Sequence, residues 1–230
     1  MNPPTFKEER ALWKKGYRSV VGVDEVGRGP LAGPVVACAV ALRKSLSLRD
    51  ISRRETISNF KFLKLRDSKK LTQRQRERFY KIFINHPGIT WGLGSVYPVV
   101  IDRINIYQAT RLAMKKAVTK LLKKCGRADF LIIDGNMNIA VPIPQKAIIR
   151  ADELVVSCAM ASIIAKVTRD RIMIRYHLQY PKYGFDRHKG YGTPGHIKNL
   201  KRHGRCAIHR KTFTSHFVAL DAPLALQKDI

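Results

Sequence analysis

Short apolar runs separated by turn residues predict the strands of this chain. The run 18–26 places valines on both sides of a glycine and predicts a first strand, and the valine- and alanine-rich run 35–42 predicts a second. Three glycines and two prolines fill residues 27–34 between them, so the two runs are expected to form a hairpin. Further strands are predicted at 90–97, 129–134 and 145–150.

Apolar residues at helical spacing predict helices between and after these strands. A capping-box spacing predicts a helix over 72–85, and a proline in the first turn supports a helix over 98–124. A short helix is expected over 193–204. The strongest helical pattern is 152–180, whose small residues would let it pack closely on a sheet. Strands mixed with helices in this way favour an α/β fold.

A chain of 230 residues is long enough for one large domain with a small appendage. We expect the main α/β domain over residues 18–180 and a helical C-terminal extension, packed on it, over residues 181–230. Residues 1–17 are expected to form a short N-terminal lead-in.

The charge balance predicts that this α/β domain has a polyanionic partner. Lys and Arg number 44 against 17 Asp and Glu, which gives a net charge of +27. Such a surplus favours nucleic acid as the partner, although a ribosome-associated or simply basic protein would share it.

The same residues argue against a membrane or secreted protein. The longest apolar run, 30–42, is too short to cross a bilayer, and residues 1–17 are too polar for a signal peptide. The four cysteines are widely spaced and form no Cys-x-x-Cys pair, which favours reduced thiols. We therefore expect a cytoplasmic protein.

Acidic residues follow three of the predicted strands. Asp24 and Glu25 close the first strand, Asp134 closes the strand 129–134, and Asp152 opens the long helix after another strand. Neighbouring strand ends of an α/β sheet form a ligand-binding crevice, where several carboxylates would repel one another. Hard cations such as Mg²⁺ or Mn²⁺ remove that repulsion, and two of them about 3.5–4 Å apart are the usual device for phosphodiester cleavage.

Each acid also has a purely structural interpretation. Asp152 could be the N-cap of the long helix, and Asp134 before Gly135 could be a turn residue. The adjacent pair Asp24 and Glu25 is harder to explain structurally, because strand alternation points one of them inward. Glu153 competes with Asp152 as the residue that faces the crevice.

Two further sets of residues are candidate binding sites. Lys69 and Lys70 precede the helix 72–85 and could contact phosphate, or could be solvated charge. A zinc site is suggested by residues near the C-terminus but fits no standard spacing, so we interpret most of them as surface or helix residues. These residues are His188, His196, His203, Cys206 and His209.

The chain resembles a known family, bacterial ribonuclease HII, along nearly its full length. The matching stretches, in chain order, are GVDEVGRGPLAGPVV (22–36), DSKKL (67–71), DRINI (102–106), IDGN (133–136), ASIIAKVTRD (161–170) and HKGYGT (188–193).

The resemblance implies an RNase H-like fold with a central mixed sheet flanked by helices and a helical C-terminal extension. It implies an endonuclease that cleaves the RNA strand of RNA–DNA hybrids and incises duplex DNA 5′ to embedded ribonucleotides. The products would carry 3′-OH and 5′-phosphate ends. The implied cofactor is Mn²⁺ or Mg²⁺, as two ions during catalysis, and the implied state is a monomer with unknown protein partners.

The resemblance also implies roles for particular residues. Four acids would be both catalytic residues and metal ligands: Asp24, Glu25, Asp134 and Asp152. The loop that reads the ribose 2′-OH through its backbone would be Gly27, Arg28 and Gly29. Tyr191 would stack on the neighbouring sugar, and Lys69 and Lys70 would contact phosphates.

Two rival interpretations stay open at this point. One is a nucleic-acid-binding protein that kept the fold and lost cleavage, against which the intact acids argue. The other is the sister class, ribonuclease HIII, whose additional N-terminal domain would need more than the roughly 17 residues that precede the first strand.

Overall fold

The computed structural model of the protein describes residues 3–42 and 71–218. Its strands are β1 (Val20–Val26), β2 (Val35–Leu42), β3 (Ile89–Val96), β4 (Phe130–Asp134) and β5 (Gln145–Ile148). Its helices are α1 (Lys7–Lys14), α2 (Gln73–Asn85), α3 (Pro98–Cys125), α4 (Ala151–Leu154), α5 (Val156–Gln179), α6 (Phe185–His188), α7 (Pro194–His203) and α8 (Lys211–Thr214). The five predicted strands and the predicted helices 72–85 and 193–204 are confirmed to within a few residues.

The five strands form one mixed sheet in the order β3-β2-β1-β4-β5. β1 and β2 pair antiparallel as the predicted hairpin, and β2 pairs antiparallel with β3. β4 runs parallel to both β1 and β5. The predicted α/β fold with a central mixed sheet flanked by helices is therefore confirmed.

Helices cover both faces of this sheet. α3 packs on one face, where Ala113 and Ala117 share an apolar cluster with Val21 and Val23. α5 packs on the other face so closely that a Cβ at Gly22 would lie 2.5 Å from the Cys158 amide nitrogen. The small residues of α5 thus have the packing role that the sequence predicts.

The predicted single helix 152–180 is wrong in one respect, because the structure divides it into α4 and α5 at Val155. This residue is extended, with φ −118° and ψ 124°, and forms a parallel bridge with Thr5. The Thr5 amide donates to the Leu154 carbonyl at 3.0 Å, and the Val156 amide donates to the Thr5 carbonyl at 3.3 Å. The N-terminal segment therefore inserts into the chain at the break and sets α4 apart from the long helix.

Helix α3 also contains a break that its sequence pattern does not reveal. Asn105 adopts a left-handed φ of 62°, and its side-chain oxygen accepts a hydrogen bond from the Gln108 amide at 3.1 Å. The asparagine thus ends the first turns of the helix and caps the remainder, as an N-cap residue does.

The predicted lead-in and extension are both docked on the sheet domain. Glu9 of α1 is fully buried and accepts hydrogen bonds from the Ser157 amide and hydroxyl, each at 2.9 Å. The Gly33 amide donates to the Ile208 carbonyl at 2.8 Å, which ties the extension to the turn between β1 and β2. Where one domain ends and the next begins stays a prediction. In the described part of the chain, every helix is too short or too polar to cross a membrane.

Candidate active site

The predicted acids lie together at one end of the sheet. Asp24 and Asp134 are near the ends of the neighbouring strands β1 and β4, and Asp152 is on the adjacent helix α4. Val23 of β1 is in register with Ile133 of the parallel strand β4, so Asp24 and Asp134 follow at the same level, about 4.8 Å apart in backbone spacing. Asp152 lies on α4 just beyond, and its amide donates to an Asp134 carboxylate oxygen at 3.4 Å. Glu25 follows Asp24 on the same strand end.

These four residues, here called the acid cluster, are largely withdrawn from water. Asp24 is 3% exposed and Asp152 6% exposed. Burial raises the pKa of Asp24 well above its usual value, and the charges of Glu25, Asp134 and Asp152 raise it further. Burial likewise raises the pKa of Glu25 to about 7, with Arg28 opposing the shift. The raised pKa values of Asp24 and Glu25 indicate that the cluster lacks enough positive charge of its own.

The cluster suits a hard divalent cation by its chemistry. All its donors are carboxylate oxygens, the ligands that Mg²⁺ and Mn²⁺ prefer. The Glu25 Oε2 atom is buried and accepts no hydrogen bond from the described residues, so it is an acceptor that lacks a donor. Within residues 3–42 and 71–218, no three His, Cys, Asp or Glu side chains already converge on one ion position. The four acids therefore lie near one another, but their side chains do not converge on a single ion position.

The structure distinguishes Asp152 from Glu153, the alternative candidate for the same position. Arg150 pairs with Glu153 through three contacts of 2.7, 2.8 and 3.1 Å, which hold this side chain beside the arginine. Arg150 is also the N-cap of α4, so Asp152 lies inside the helix and is not its cap. The structure thus places Asp152, and not Glu153, beside Asp134.

The turn 27–34, here called the glycine loop, continues directly from the acid cluster and is held by a buried arginine. Arg210 is fully buried and donates to the carbonyl oxygens of Gly27 at 2.5 Å, Arg28 at 2.7 Å and Gly33 at 3.0 Å. Burial lowers its pKa to about 9, a value that still leaves it charged at pH 7. Its partners are backbone carbonyls, which satisfy the guanidinium without neutralising it.

A second buried arginine holds the same loop from helix α5. Arg169 donates to the carbonyl oxygens of Pro34 at 2.9 Å, Ala32 at 3.1 Å and Lys189 at 2.9 Å. Gly27, at φ 93°, lies against this side chain so tightly that an added Cβ would collide with its Nε atom. Glycine at position 27 is thus required by both its φ angle and the arginine behind it.

Sequence reasoning missed both arginines, although Arg169 left a signal. It lies four residues from Ala165 and from Met173, both buried, so it occupies the buried stripe of α5. An arginine on such a stripe must find acceptors inside the protein. Arg210 has no comparable pattern around it.

The structure brings Tyr191 to the glycine loop. The Leu31 amide donates to the Gly190 carbonyl at 2.8 Å, and the Arg169 guanidinium carbon lies 5.8 Å from the centre of the Tyr191 ring. The Tyr191 side chain is 42% exposed, whereas its backbone is fixed by the His188 carbonyl and the His196 ring. An exposed ring on a fixed backbone is suited to stacking on a ligand.

Of the C-terminal histidines interpreted as surface or helix residues, His188, His196 and His203 do lie on helices, whereas the interpretation is wrong for His209, which is buried outside the described helices. His196 is buried as well, although it lies on α7. The His209 and His196 Nε2 atoms are 3.0 Å apart, and the His196 Nδ1 atom lies 2.8 Å from the Tyr191 carbonyl oxygen. The Cys206 amide donates to His209 Nδ1 at 2.9 Å. These bonds link neutral rings into a chain that supports Tyr191, because burial lowers the pKa of His196 to about 4 and that of His209 to about 3.

Two predicted substrate contacts, Lys69 and Lys70, lie outside the described residues. Their role in phosphate binding stays a prediction.

Solved structures share this architecture. The ribonuclease H2 from Pyrococcus horikoshii OT3 superposes with a TM-score of 0.60 at 26% identity, over 84% of this chain and 93% of that one. Bst-RNase HIII, solved in complex with Mn²⁺, superposes with a TM-score of 0.61 at 19% identity, over 80% of this chain and 61% of that one. The shared architecture places the chain in the RNase H-like fold class, to which these ribonucleases belong.

Sequence comparison narrows this class to one family. A family model described as Ribonuclease HII matches residues 21–216. The ribonuclease HII of Enterococcus faecalis is 47% identical over 212 residues, which cover 90% of this chain and 76% of that protein. The chain therefore belongs to the ribonuclease HII family, the metal-dependent endonucleases that act on RNA–DNA hybrids.

Proposed function

We propose that the enzyme, besides cleaving the RNA of hybrids, incises duplex DNA on the 5′ side of embedded ribonucleotides. The observation that carries this proposal is the continuity between the acid cluster and the glycine loop. Asp24 and Glu25 end β1, and Gly27 begins the loop two residues later. Recognition of a ribose and cleavage beside it would then occur on one rigid segment of backbone.

The glycine loop presents donors where a 2′-OH could be read. Its carbonyls face inward to Arg169 and Arg210, whereas the amides of Arg28 and Gly29 donate to none of the residues that the structure describes. A Cβ added at Gly29 would meet no atom of the described residues within 4 Å, which leaves room for a ligand at this backbone. The 2′-OH alone marks a ribonucleotide within DNA, and reading it requires such a close backbone approach.

Tyr191 would complete this recognition from the side of the extension. Its exposed ring lies next to the loop and can stack on the sugar beside the ribonucleotide. Because its backbone is bonded to the His196 ring and the neighbouring Gly190 carbonyl to Leu31, the ring position depends on the loop position. A correct ribose contact would therefore be accompanied by correct stacking.

We assign the catalytic role to the acid cluster. Asp24, Glu25, Asp134 and Asp152 would hold two Mn²⁺ or Mg²⁺ ions, which supply activation of the attacking water and stabilisation of the leaving oxygen. The Asp152 amide orients the Asp134 carboxylate, and Ser162 hydrogen-bonds to Asp24. Water attacks phosphorus as the bond to the 3′ oxygen breaks, which leaves 3′-OH and 5′-phosphate ends.

We also propose that the enzyme is a cytoplasmic monomer. The buried thiols of Cys38, Cys158 and Cys206 form no disulfide, which suits a reducing compartment. The basic surface suits a nucleic-acid partner.

The proposal is tested by incubating the protein with duplex DNA that contains one ribonucleotide, with Mn²⁺, Mg²⁺ or EDTA. We expect a single nick 5′ to the ribonucleotide, present with either metal and absent with EDTA. Asp134→Asn should abolish the nick and keep substrate binding. Binding by the wild type without any metal-dependent nick would instead support the binding-only interpretation.

The ribose-reading part of the proposal needs a separate comparison. Tyr191→Ala should reduce nicking at a single ribonucleotide more than cleavage of an all-RNA strand in a hybrid. The matched control is Tyr107→Ala, because Tyr107 is similarly exposed, at 44%, but lies on α3. Equal losses on both substrates would show that Tyr191 has no role in recognising the junction.

A further inference from the structure

A basic groove runs along the β3 edge of the sheet, outside the acid cluster. It has a volume of about 540 Å³ and lies between β3 and the outward side of α3. Its walls consist of Ser95, Tyr97, Leu112, Lys115, Lys116, Thr119, Lys120 and Lys123. We call it the lysine groove.

Among the described residues, no acidic side chain lines the lysine groove. The sequences of β3 and α3 contain a single acid, Asp102. Asp102 lies outside the groove and accepts hydrogen bonds from the Lys211 amide and the Thr212 hydroxyl. Among the ion pairs of the described residues, none involves Lys115, Lys120 or Lys123. The groove therefore presents several cationic groups to one ligand.

The edge of β3 is poorly suited to binding an additional peptide strand. In the described sheet β3 pairs only with β2, so its other edge could in principle accept a further strand. Lys116 and Lys124 instead donate to the edge carbonyls of Ser95 and Trp91, at 3.5 and 2.9 Å. Because these lysines of α3 occupy the edge carbonyls and bring charge to the edge, they oppose strand addition. Charge complementarity therefore favours an anionic ligand over a peptide strand.

The groove begins near the acid cluster. Val26 at the end of β1 is in register with Val36, and Val36 is in register with Ser95. Two strand spacings, about 10 Å, therefore separate the Val26 and Ser95 backbones. From Lys115 to Lys123 the helix rises about 12 Å, and one DNA strand carries a phosphate every 3.4 Å or so along its axis. The groove thus matches three to four consecutive phosphates by this geometry.

We propose that the lysine groove binds the phosphate backbone of one arm of the substrate duplex, beyond the segment at the acid cluster. This inference rests on the proposed function for the position of the cut. The groove would hold the duplex without reading its sequence, because ammonium groups contact phosphates of any sequence.

The test compares two triple variants that remove the same charge. Lys115→Gln, Lys120→Gln and Lys123→Gln alter the groove and spare Lys116, which is bonded to Ser95. The control changes Lys7 and Lys14 of α1 and the C-cap residue Lys15 to Gln, at the opposite side of the sheet, where Glu8 pairs with Lys146 of β5. Thermal unfolding should show that both variants fold like the wild type.

Binding is measured in EDTA with duplexes whose arms are short or long on either side of one ribonucleotide. We expect a long arm on one side of the ribonucleotide to strengthen binding by the wild type. The groove variant should bind the duplex with this long arm at least tenfold more weakly than the wild type does. Its affinity for the short duplex should stay within twofold of the wild type. The slope of log affinity against log salt should fall by about 2 to 3 for that arm, since each phosphate contact contributes about 0.9. The control variant should still bind the duplex with this long arm more tightly than the short duplex.

Two outcomes would overturn the inference. Equal losses in both triple variants would mean that only overall charge matters, and an unchanged long-arm affinity in the groove variant would mean that the groove is not a contact surface. If the wild type fails to nick the short duplex when metal is added, the proposed function fails. The arm-length comparison still decides the groove, because it measures binding alone.

Discussion

The acid cluster and the glycine loop adjoin in sequence and bury charge in opposite ways. Asp24 and Glu25 are buried among like charges, and burial raises the pKa of both. Arg169 and Arg210 are buried as well, but backbone carbonyls of the loop accept hydrogen bonds from their guanidinium groups. The buried charge of the acid cluster is therefore not compensated by the protein, whereas the buried charge of the two arginines is stabilised by hydrogen bonds to the glycine loop.

This difference separates a binding site from its support. Buried charges that the protein does not compensate are costly, and they persist where a ligand supplies the missing charge. Buried charges with a full set of hydrogen bonds make their surroundings rigid. The acid cluster is thus organised for cations that come from solution, whereas the arginines fix the loop beside it. Substitutions in the two regions should have opposite effects on stability.

Asp24→Asn should separate activity from stability most sharply. We expect nicking to fall about 10³-fold or more, because metal-assisted stabilisation contributes several kcal/mol. In EDTA the melting temperature should stay equal or rise, since the change removes a desolvated charge that three acids repel. The measurements are nicking rates with Mn²⁺ and thermal unfolding in EDTA.

Asp129→Asn provides the opposite pattern as a control. Its carboxylate accepts hydrogen bonds from the Arg18 and Ser19 amides, and the hydrogen bond from Arg127 lowers its pKa. It should therefore lose some stability and keep full activity. A clear loss of metal-free stability in Asp24→Asn would contradict the comparison.

Arg210→Met should destabilise the protein by about 3 kcal/mol, because three loop carbonyls lose a buried donor. It should also reduce the preference for a single ribonucleotide over an RNA–DNA hybrid, since the loop would no longer be held. Urea unfolding measures the first effect, and nicking of both substrates below the unfolding range measures the second.

Arg205→Met is the matched control, because Arg205 is equally buried but donates to Thr214 and Val218 instead of to carbonyls of the glycine loop. It should destabilise the protein and leave the substrate preference unchanged. The same change of preference in both variants would show that the effect arises from general destabilisation.

The sequence predicted the features that depend on local rules. The capping box at Thr72 is present with both of its bonds, and Thr193 and Gly204 bound the short helix α7 as expected. The acids at the strand ends could be predicted as neighbours because a parallel sheet brings such ends together. These inferences needed only the residues within a few positions of each feature.

The features that sequence reasoning missed depend on distant partners. The break at Val155 requires Thr5, which lies 150 residues earlier in the chain. The glycine-loop carbonyls that accept hydrogen bonds from Arg169 and Arg210 lie 135 to 183 residues earlier in the chain. His196 and His209 are buried because Tyr183 and Phe185 pack against His209, and Phe185 also against His196. Apart from Arg169, which lies on the buried stripe of α5, nothing in the local pattern distinguishes these residues from surface residues.

Metal binding should stabilise the wild type through the acid cluster. At an Mn²⁺ concentration about 100 times its dissociation constant, the stabilisation is about 2.7 kcal/mol, or several degrees in melting temperature. Asp24→Asn and Asp134→Asn should lose most of this shift. The measurement is thermal unfolding across an Mn²⁺ titration, and an unchanged shift in both variants would place the metal elsewhere.

The buried histidines should make the supporting side of the molecule sensitive to acid. Because burial lowers the pKa of His196 to about 4 and of His209 to about 3, the unfolded chain binds more protons than the folded one between about pH 6.5 and 4. These histidines therefore contribute stability that is fully present above pH 6.5 and is lost as the pH falls. The raised pKa values of the acid cluster act in the opposite direction, so the effect must be measured as a difference between variants.

The double variant His196→Gln and His209→Gln keeps hydrogen-bonding groups at both positions and removes their titration. Its free energy of unfolding in urea should fall less than that of the wild type between pH 7 and pH 5. His216→Gln, at an exposed position, should follow the wild type. Since His196 donates to the Tyr191 carbonyl, acid should also loosen the ring that we propose stacks on the substrate. An equal pH dependence in all three proteins would mean that this pair is not the acid-sensitive element.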